Sequence, residues 1–234
     1  MFWIGTSGYN FPEWKGNFYP EKISGAKMLP YYAERFSTVE INYTFYRMPT
    51  DKVIDGWAGV TPEQFAFTLK GSRRITQYAQ MKDCQELVDY FCERARRLGP
   101  KMGTVLFQLP PWLRKDLGVL DSFISGLPDD IRVAFEFRHD SWHDAAVFSR
   151  LRDSNKALCI ADTDEKTTPL EITADYAYFR LRDEGYEQAD IEKWAETIAE
   201  STGGCKDVFV YFKHEESGKG PEFAQALREL LPAG

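Results

Sequence analysis

The chain contains no long apolar run: nothing in it approaches the ~20 consecutive apolar residues of a membrane-spanning helix. It has only four cysteines (Cys84, Cys92, Cys159 and Cys205), with no C-x-x-C pair and no zinc-knuckle spacing. This argues against a disulfide scaffold and points to reduced thiols in a reducing compartment. Positive charge is also scarce. Lys and Arg number 29 against 36 Asp and Glu, for a net charge of −7 at pH 7. A generic nucleic-acid binder needs a basic face to displace counterions, so the total argues against one while leaving room for a local patch. The densest basic run, Arg94, Arg96 and Arg97, falls on helical periodicity and reads as a solvated face. Low-complexity segments, linkers and repeats are absent. The opening Met1–Gly5 lacks the basic and long apolar regions of a signal peptide, so a cytoplasmic location is expected.

What is present is a regular rhythm. The 234 residues suit one domain, 1–234, with 43% hydrophobic, 28% charged and 15% aromatic residues. Strand-like runs are expected at Phe2–Thr6, Thr38–Asn42, Gln64–Lys70, Gly103–Leu109, Arg132–Phe137, Lys156–Ile160, Tyr176–Leu181 and Asp207–Phe212. Helical patterns fall between them at Lys27–Phe36, Asp51–Ala58, Cys84–Leu98, Leu117–Leu127, Ala145–Asp153, Asp190–Ser201 and Pro221–Leu231. The stretch Asp162–Asp175 carries no convincing helix, and Asn10–Gly25 reads as a long loop rich in aromatics. Alternation of this kind implies parallel strands joined by right-handed crossovers. The expected fold is an α/β single (β/α)8 TIM-like barrel with one crossover helix short or missing. An open doubly wound sheet is the alternative.

Alternate residues of a barrel strand point inward and outward, and the outward set must be apolar to pack on helices. In Phe65–Lys70 the apolar parity is Phe65, Phe67 and Leu69, so Lys70 faces in. In Val133–Arg138 the same sorting turns Glu136 and Arg138 inward. It also places Glu40, Asn42, Gln108, Tyr178 and Arg180 inside, whereas Asp162 shares the parity of Leu158 and Ile160 just past its strand. The polar inward residues come late in their strands, at the end that forms the catalytic mouth of such barrels. Burying so many charges costs several kcal/mol each, roughly, unless they are paired. They therefore form either a ligand site or an ion-pair network that plugs the barrel.

Several of these residues belong to a wider pattern. Ile4–Tyr9, Trp14-Lys15-Gly16 and Phe18-Tyr19-Pro20 resemble the opening of the YecE-like family, domain of unknown function 72. Glu40-Ile41-Asn42, Thr44-Phe45-Tyr46, Lys70 with Ser72–Thr76, Gln108–Pro111, Glu136–His139 with Ser141-Trp142, and Tyr178-Phe179-Arg180 extend the resemblance over nearly the whole chain. It implies a TIM-barrel-like fold and brings no accepted reaction. A likeness to endonuclease IV would be one of fold alone. The chain departs from the family pattern at Gln77, at Arg182, and at Lys213 with His214, where specificity could differ.

Other candidates carry less. His139 and His143 stand four apart, as a metal pair on a helix would, but Asp140 or Ser141 reads more simply as a helix cap there. No cofactor is expected, although a Mg²⁺ or Mn²⁺ ion on Glu40, Glu136 and Asp162 suits hard-cation chemistry. Ser7 reads as a turn residue or a ligand-binding hydroxyl. Tyr9 and Trp14 belong to an aromatic loop that either packs as a lid or stacks a sugar or base. The leading expectation is an enzyme acting on a small anionic or sugar-like metabolite. In it Arg138 and Arg180 hold the anion, with Gln108, Asn42, Tyr178 and His139 around the substrate. Glu136 or Glu40 serves as general base, and Lys70 stabilises negative charge. A nucleic-acid-processing barrel and a non-catalytic binding protein are the rivals.

Overall fold

A computed structural model describes residues 1–162, 168–215 and 218–232. Among these residues eight parallel strands close into a barrel in chain order: β1 Phe2–Ser7, β2 Thr38–Ile41, β3 Ala66–Lys70, β4 Met102–Gln108, β5 Val133–Glu136, β6 Ala157–Ala161, β7 Tyr176–Leu181 and β8 Asp207–Phe212. Strand β8 pairs back onto β1, from Phe2 opposite Val208 to Thr6 opposite Phe212. The helices are α1 Gly25–Ala33, α2 Tyr43–Tyr46, α3 Asp51–Gly59, α4 Gln85–Ala95, α5 Leu117–Ser125, α6 Ala145–Asp153, α7 Gln188–Ser201 and α8 Lys219–Leu230. The described part of the β6–β7 crossover holds no helix, as its polar, unpatterned sequence implied; residues 163–167 lie outside the described residues.

Side-chain parity divides the buried residues into two cores. Inside the barrel, Ala66, Ala134 and Ala157 make room for the rings of Tyr176, Tyr178, Phe209 and Tyr211. Small residues facing large rings let the layers interdigitate. Between barrel and helices lie Val39, Ile41, Phe67, Leu69, Phe107, Phe135 and Phe179. Several of the polar groups inside are paired, although the buried Thr104 hydroxyl has no partner. The Tyr211 hydroxyl sits between Thr38 Oγ1 at 2.7 Å and Thr68 Oγ1 at 2.8 Å.

The first two strands are joined partly through a helix. The Tyr32 hydroxyl, carried on α1, accepts from the Thr6 N–H at 2.9 Å and donates to the Thr38 carbonyl at 3.0 Å. Gly5 makes the insertion sterically feasible: a Cβ there would lie 2.2 Å from the Thr38 carbonyl oxygen and 2.9 Å from the Tyr32 hydroxyl.

One local expectation needs correction. The cap before α6 is Asp144, which accepts from the Ala146 and Val147 N–H groups at 2.9 and 3.2 Å; it is neither Asp140 nor Ser141. Asp140–Trp142 instead forms a separate 3₁₀ turn, capped by His139 Nδ1, which accepts from the Ser141 N–H at 3.1 Å. Helix α2 and a π-helical turn at Arg74–Tyr78 fall in stretches for which the sequence pattern names no element. Both are too short to show an apolar period.

Tyr32→Phe strands a buried N–H and a buried carbonyl. It is expected to cost about 1–3 kcal/mol and to lower Tm by roughly 2–10 °C, with Gly5→Ala more damaging. Thermal melts check this, and an unchanged Tm in Tyr32→Phe would remove the inserted hydroxyl from the account.

Candidate active site at the barrel mouth

Arg180 lies at the centre of the mouth. It comes at the end of β7, after Tyr176 and Tyr178 on the same inward parity, and it is fully buried. Its Nε and Nη2 donate to Glu40 of β2 at 3.0–3.1 Å. Its Nη1 donates to Glu136 of β5 at 3.0 Å, and its Nη2 also reaches Ser7 Oγ of β1 at 3.2 Å. One guanidinium therefore ties together four strands.

The two carboxylates have different company. Glu40 is saturated, accepting from the Ser7 hydroxyl and from the Tyr178 hydroxyl at 2.5 Å in addition to Arg180. Burial alone would raise its pKa; the Arg180 charge and these hydrogen bonds outweigh burial and hold it below the ordinary value. Glu136 accepts from Gln108 Nε2 at 2.7 Å and from Arg182 Nη1 at 3.3 Å, and Arg138 Nε stands 3.5 Å away. Burial again opposes ionisation, but Arg180, Arg182, Arg138 and Lys70 together pull it down to about 2. Both acids are thus ionised and largely committed at neutral pH, which weakens the expectation that either takes up a proton.

Lys70 ends β3. It is buried, and its Nζ lies 4.4 Å from the centre of the Phe45 ring. Among the described residues no carboxylate comes within 4.0 Å of it. Burial and the Arg180 charge lower its pKa to about 8, only partly opposed by Glu136 and Glu40. The cluster counts four cations (Lys70, Arg138, Arg180, Arg182) against two anions (Glu40, Glu136), an excess of positive charge in an acidic protein. The two arginines with solvent access are Arg138 and Arg182, whose side chains are 35% and 16% exposed.

The remaining expected residues fall into two groups. Ser7, Asn42, Gln108 and Tyr178 join the cluster, with Asn42 Nδ2 donating to Ser7 Oγ at 2.8 Å. The Asn42 Oδ1 is buried and lacks a hydrogen-bond partner. Asn42 and Tyr9 also line an adjoining groove of about 570 Å³, together with Phe11, Tyr43 and Trp57. Trp14 is not at the site. It is buried in the aromatic loop against Phe11 and Tyr19, and its indole N–H donates to the Glu215 carbonyl at 2.9 Å.

Nor do His139 and Asp162 join the cluster. His139 is occupied in capping its turn, and Asp162, following its outward parity, lies between β6 and α7, where it accepts from the Arg182 N–H at 2.7 Å and from the Tyr186 hydroxyl. The three carboxylates suited to a divalent ion therefore do not converge. Among the described residues, no three His, Cys, Asp or Glu side chains gather as a metal site. Arg182, which the sequence marks only as a departure from the family pattern, joins the cluster; it continues the parity of Tyr178 and Arg180 one step past the strand. Of the other departures from the family pattern, Gln77 donates to the Gln108 carbonyl at 3.1 Å, Lys213 pairs with Glu215 at 3.3 Å, and His214 is buried against Phe223.

Comparison with known proteins gives a consistent result. The profile of the family described as "Protein of unknown function DUF72" matches residues 3–234. The chain is 25% identical to UPF0759 protein YunF of Bacillus subtilis (strain 168), covering 99% of this chain and 95% of that one. It is 31% identical to UPF0759 protein YecE of Escherichia coli (strain K12), over 59% of this chain and 49% of that protein. Among solved structures, a DUF72 family protein from Thermotoga maritima MSB8 superposes with a TM-score of 0.89 at 25% identity, over 98% of each chain. A methyltransferase from Methanosarcina mazei, at a TM-score of 0.53 and 11% identity over 97% of this chain and 93% of that one, shares the fold alone.

Glu40→Gln removes the charge that Arg180 is buried against and puts an amide N–H₂ where an acceptor is needed. A loss of about 3–5 kcal/mol, or roughly 6–20 °C in Tm, is expected. The pH dependence has a definite sign. Carboxyls whose pKa is depressed on folding stabilise the protein above their unfolded value, and that stability is lost as pH falls from about 4.5 toward 2. Denaturant melts between pH 7 and pH 2.5 check this, and stability that stays flat below pH 4.5 would contradict it.

Proposed function

The chain belongs to the DUF72 family, and on that premise we propose that its barrel mouth is the active site of an enzyme that moves a proton on a small anionic metabolite, a phosphate or a carboxylate. Lys70 carries the reading. It is a buried amine at the mouth, without a carboxylate partner, whose pKa of about 8 lies close to neutral. A group transfers protons best when its pKa is near the working pH. At neutral pH about a tenth of Lys70 is unprotonated, enough to act as a base, whereas a carboxyl at about 2 is a far weaker one. Proton transfer therefore passes from Glu136 and Glu40, where the sequence had put it, to Lys70.

The anion falls to Arg138 and Arg182. Their guanidiniums converge on one oxygen of Glu136 and still reach solvent, so each has donors left for a ligand. Arg180 does not take this role, because its donors are occupied and it is wholly buried. It acts as the support that sets Glu136, and through Glu136 the two exposed arginines. Asn42, with an unused buried acceptor beside the 570 Å³ groove, offers a partner for a substrate hydroxyl.

The measurement is a thermal melt against a panel of sugar phosphates and carboxylates. A bound anion should raise Tm in the parent, and Arg138→Ala should abolish that shift. If no anion moves the parent, the reading fails; if one binds tightly and no proton exchange is seen, a binding protein takes its place.

Lys70 supplies a second check. A lysine whose pKa falls on folding destabilises the protein below that pKa, and the penalty fades as pH rises from about 8 to 10.5. Lys70→Met should therefore be more stable than the parent at pH 7, by up to about 3 kcal/mol, and should lose that advantage by pH 10.5. A variant less stable at pH 7 would show that Lys70 is held by structure rather than for chemistry.

A further inference from the structure

The neighbouring strands β2 and β3 both continue past the mouth into short helical turns, and the walls of a second groove hang from them. After β2 come α2 and Arg47; after β3 come Ser72, Arg73, Arg74 and the π-helical turn. The groove between them measures about 690 Å³ and is lined by Tyr46, Arg47, Lys52, Ser72, Arg74 and Tyr90, among others. It adjoins the groove beside Asn42, since Arg47, Met48, Pro49 and Thr50 line both.

Two features set this surface apart. The first is uncompensated charge. The basic run conspicuous in the sequence is neutralised: Arg94 pairs with Asp51, Arg96 with Asp130, and Arg97 with Asp55. Arg47, Lys52, Arg73 and Arg74, by contrast, have no carboxylate within 4.0 Å among the described residues. Four unpaired cations on one face of a chain with net charge −7 form a local reversal of sign.

The second feature is exposed aromatic area. Tyr46, Tyr78 and Tyr90 are 64%, 68% and 48% exposed. They are interleaved with the cations: the Arg73 guanidinium lies 5.4 Å from the Tyr46 ring centre and 5.6 Å from that of Tyr78, and Arg94 lies 4.7 Å from Tyr90.

We infer that this groove binds single-stranded nucleic acid, its cations on the phosphates and its tyrosines against the bases. Single strands are held by this combination, a positively charged groove that follows the backbone with aromatic faces on which bases stack. A duplex would satisfy the cations but keep its base faces covered. An acidic protein segment would pair the charges but carries a ring only at occasional positions, whereas every nucleotide of a single strand presents one. The inference is independent of the reading of the mouth, because none of the groove residues named here belongs to the Arg180 cluster.

Fluorescence anisotropy with 5′-fluorescein-labelled 12-mers of dT and of U tests it directly, against a duplex of equal length and a sulfated polysaccharide. The parent should bind the single strands more tightly than the duplex and lose affinity as salt rises. Arg47→Ala and Arg74→Ala should each lower the log–log salt slope by about 0.7. Tyr46→Ala and Tyr78→Ala should each weaken single-strand binding roughly 5- to 100-fold, with the polysaccharide unaffected. Arg96→Ala, whose cation is already paired, should change nothing. All the substituted groups are exposed or partly so, and a Tm matching the parent confirms that each variant is folded.

Absence of binding at low salt overturns the inference. So does equal binding of duplex, single strand and polysaccharide with the tyrosine variants unimpaired, which is cation exchange. Concentration-dependent self-association in sedimentation, abolished by Tyr46→Ala and Arg74→Ala, would assign the groove to a second copy of this chain instead.

Discussion

The mouth of this barrel is organised by a single buried guanidinium. Arg180 spans from Glu40 to Glu136 and touches Ser7, so β1, β2, β5 and β7 are connected by one rigid, planar group. An arginine suits this position because its fork presents donors in fixed directions and keeps its charge when buried. A lysine there would offer a point charge that burial pushes toward neutrality, as it does to Lys70 in the same protein. The arrangement also decides which residues remain free. Glu40 and Arg180 are consumed by each other, and the surplus positive charge is left to Arg138, Arg182 and Lys70 at the rim.

Charge runs against the average at two places in the molecule. The chain is acidic overall, yet cations outnumber acids at the mouth and in the groove beyond β2 and β3. A cation-lined recess with low-dielectric walls concentrates field lines and draws anions toward it. Residues paired on the helical surface, such as Arg96 with Asp130, contribute little to that field, and as exposed pairs they add little stability. The functional meaning of a basic residue here depends on whether a carboxylate lies beside it, and spacing along the chain does not reveal that.

Much of the site was legible because a barrel strand has a period of two. Phe65, Phe67 and Leu69 must face the helices, so Lys70 must face in; the same reasoning recovered Glu40, Gln108, Glu136, Tyr178 and Arg180. The rule reaches only as far as the strand. Arg182 lies one step beyond β7, and the sequence marks it only as a departure from the family pattern, although its parity matches. His139 lies in a turn after β5, beyond the reach of the strand period, and its Nδ1 caps that turn. Trp14 lies in a loop without a period, so nothing in the sequence separated a buried lid from an exposed stacking platform.

Local patterning makes the alternation of strands and helices and the orientation of the inward residues legible. Both follow from local periodicity and from the need to cover one face of every strand, and each strand reports them without reference to the others. Which charges meet is settled by the closed barrel and not by any one segment. Glu40 and Arg180 are 140 residues apart and Glu136 and Arg180 are 44 apart, so their pairing depends on the closure and register of the barrel. That pairing helps hold Glu136 low against its burial, while burial itself, with the Arg180 charge beside it, lowers Lys70 to about 8. Burial and distance between side chains govern ionisation, and neither is a property of the residue that titrates.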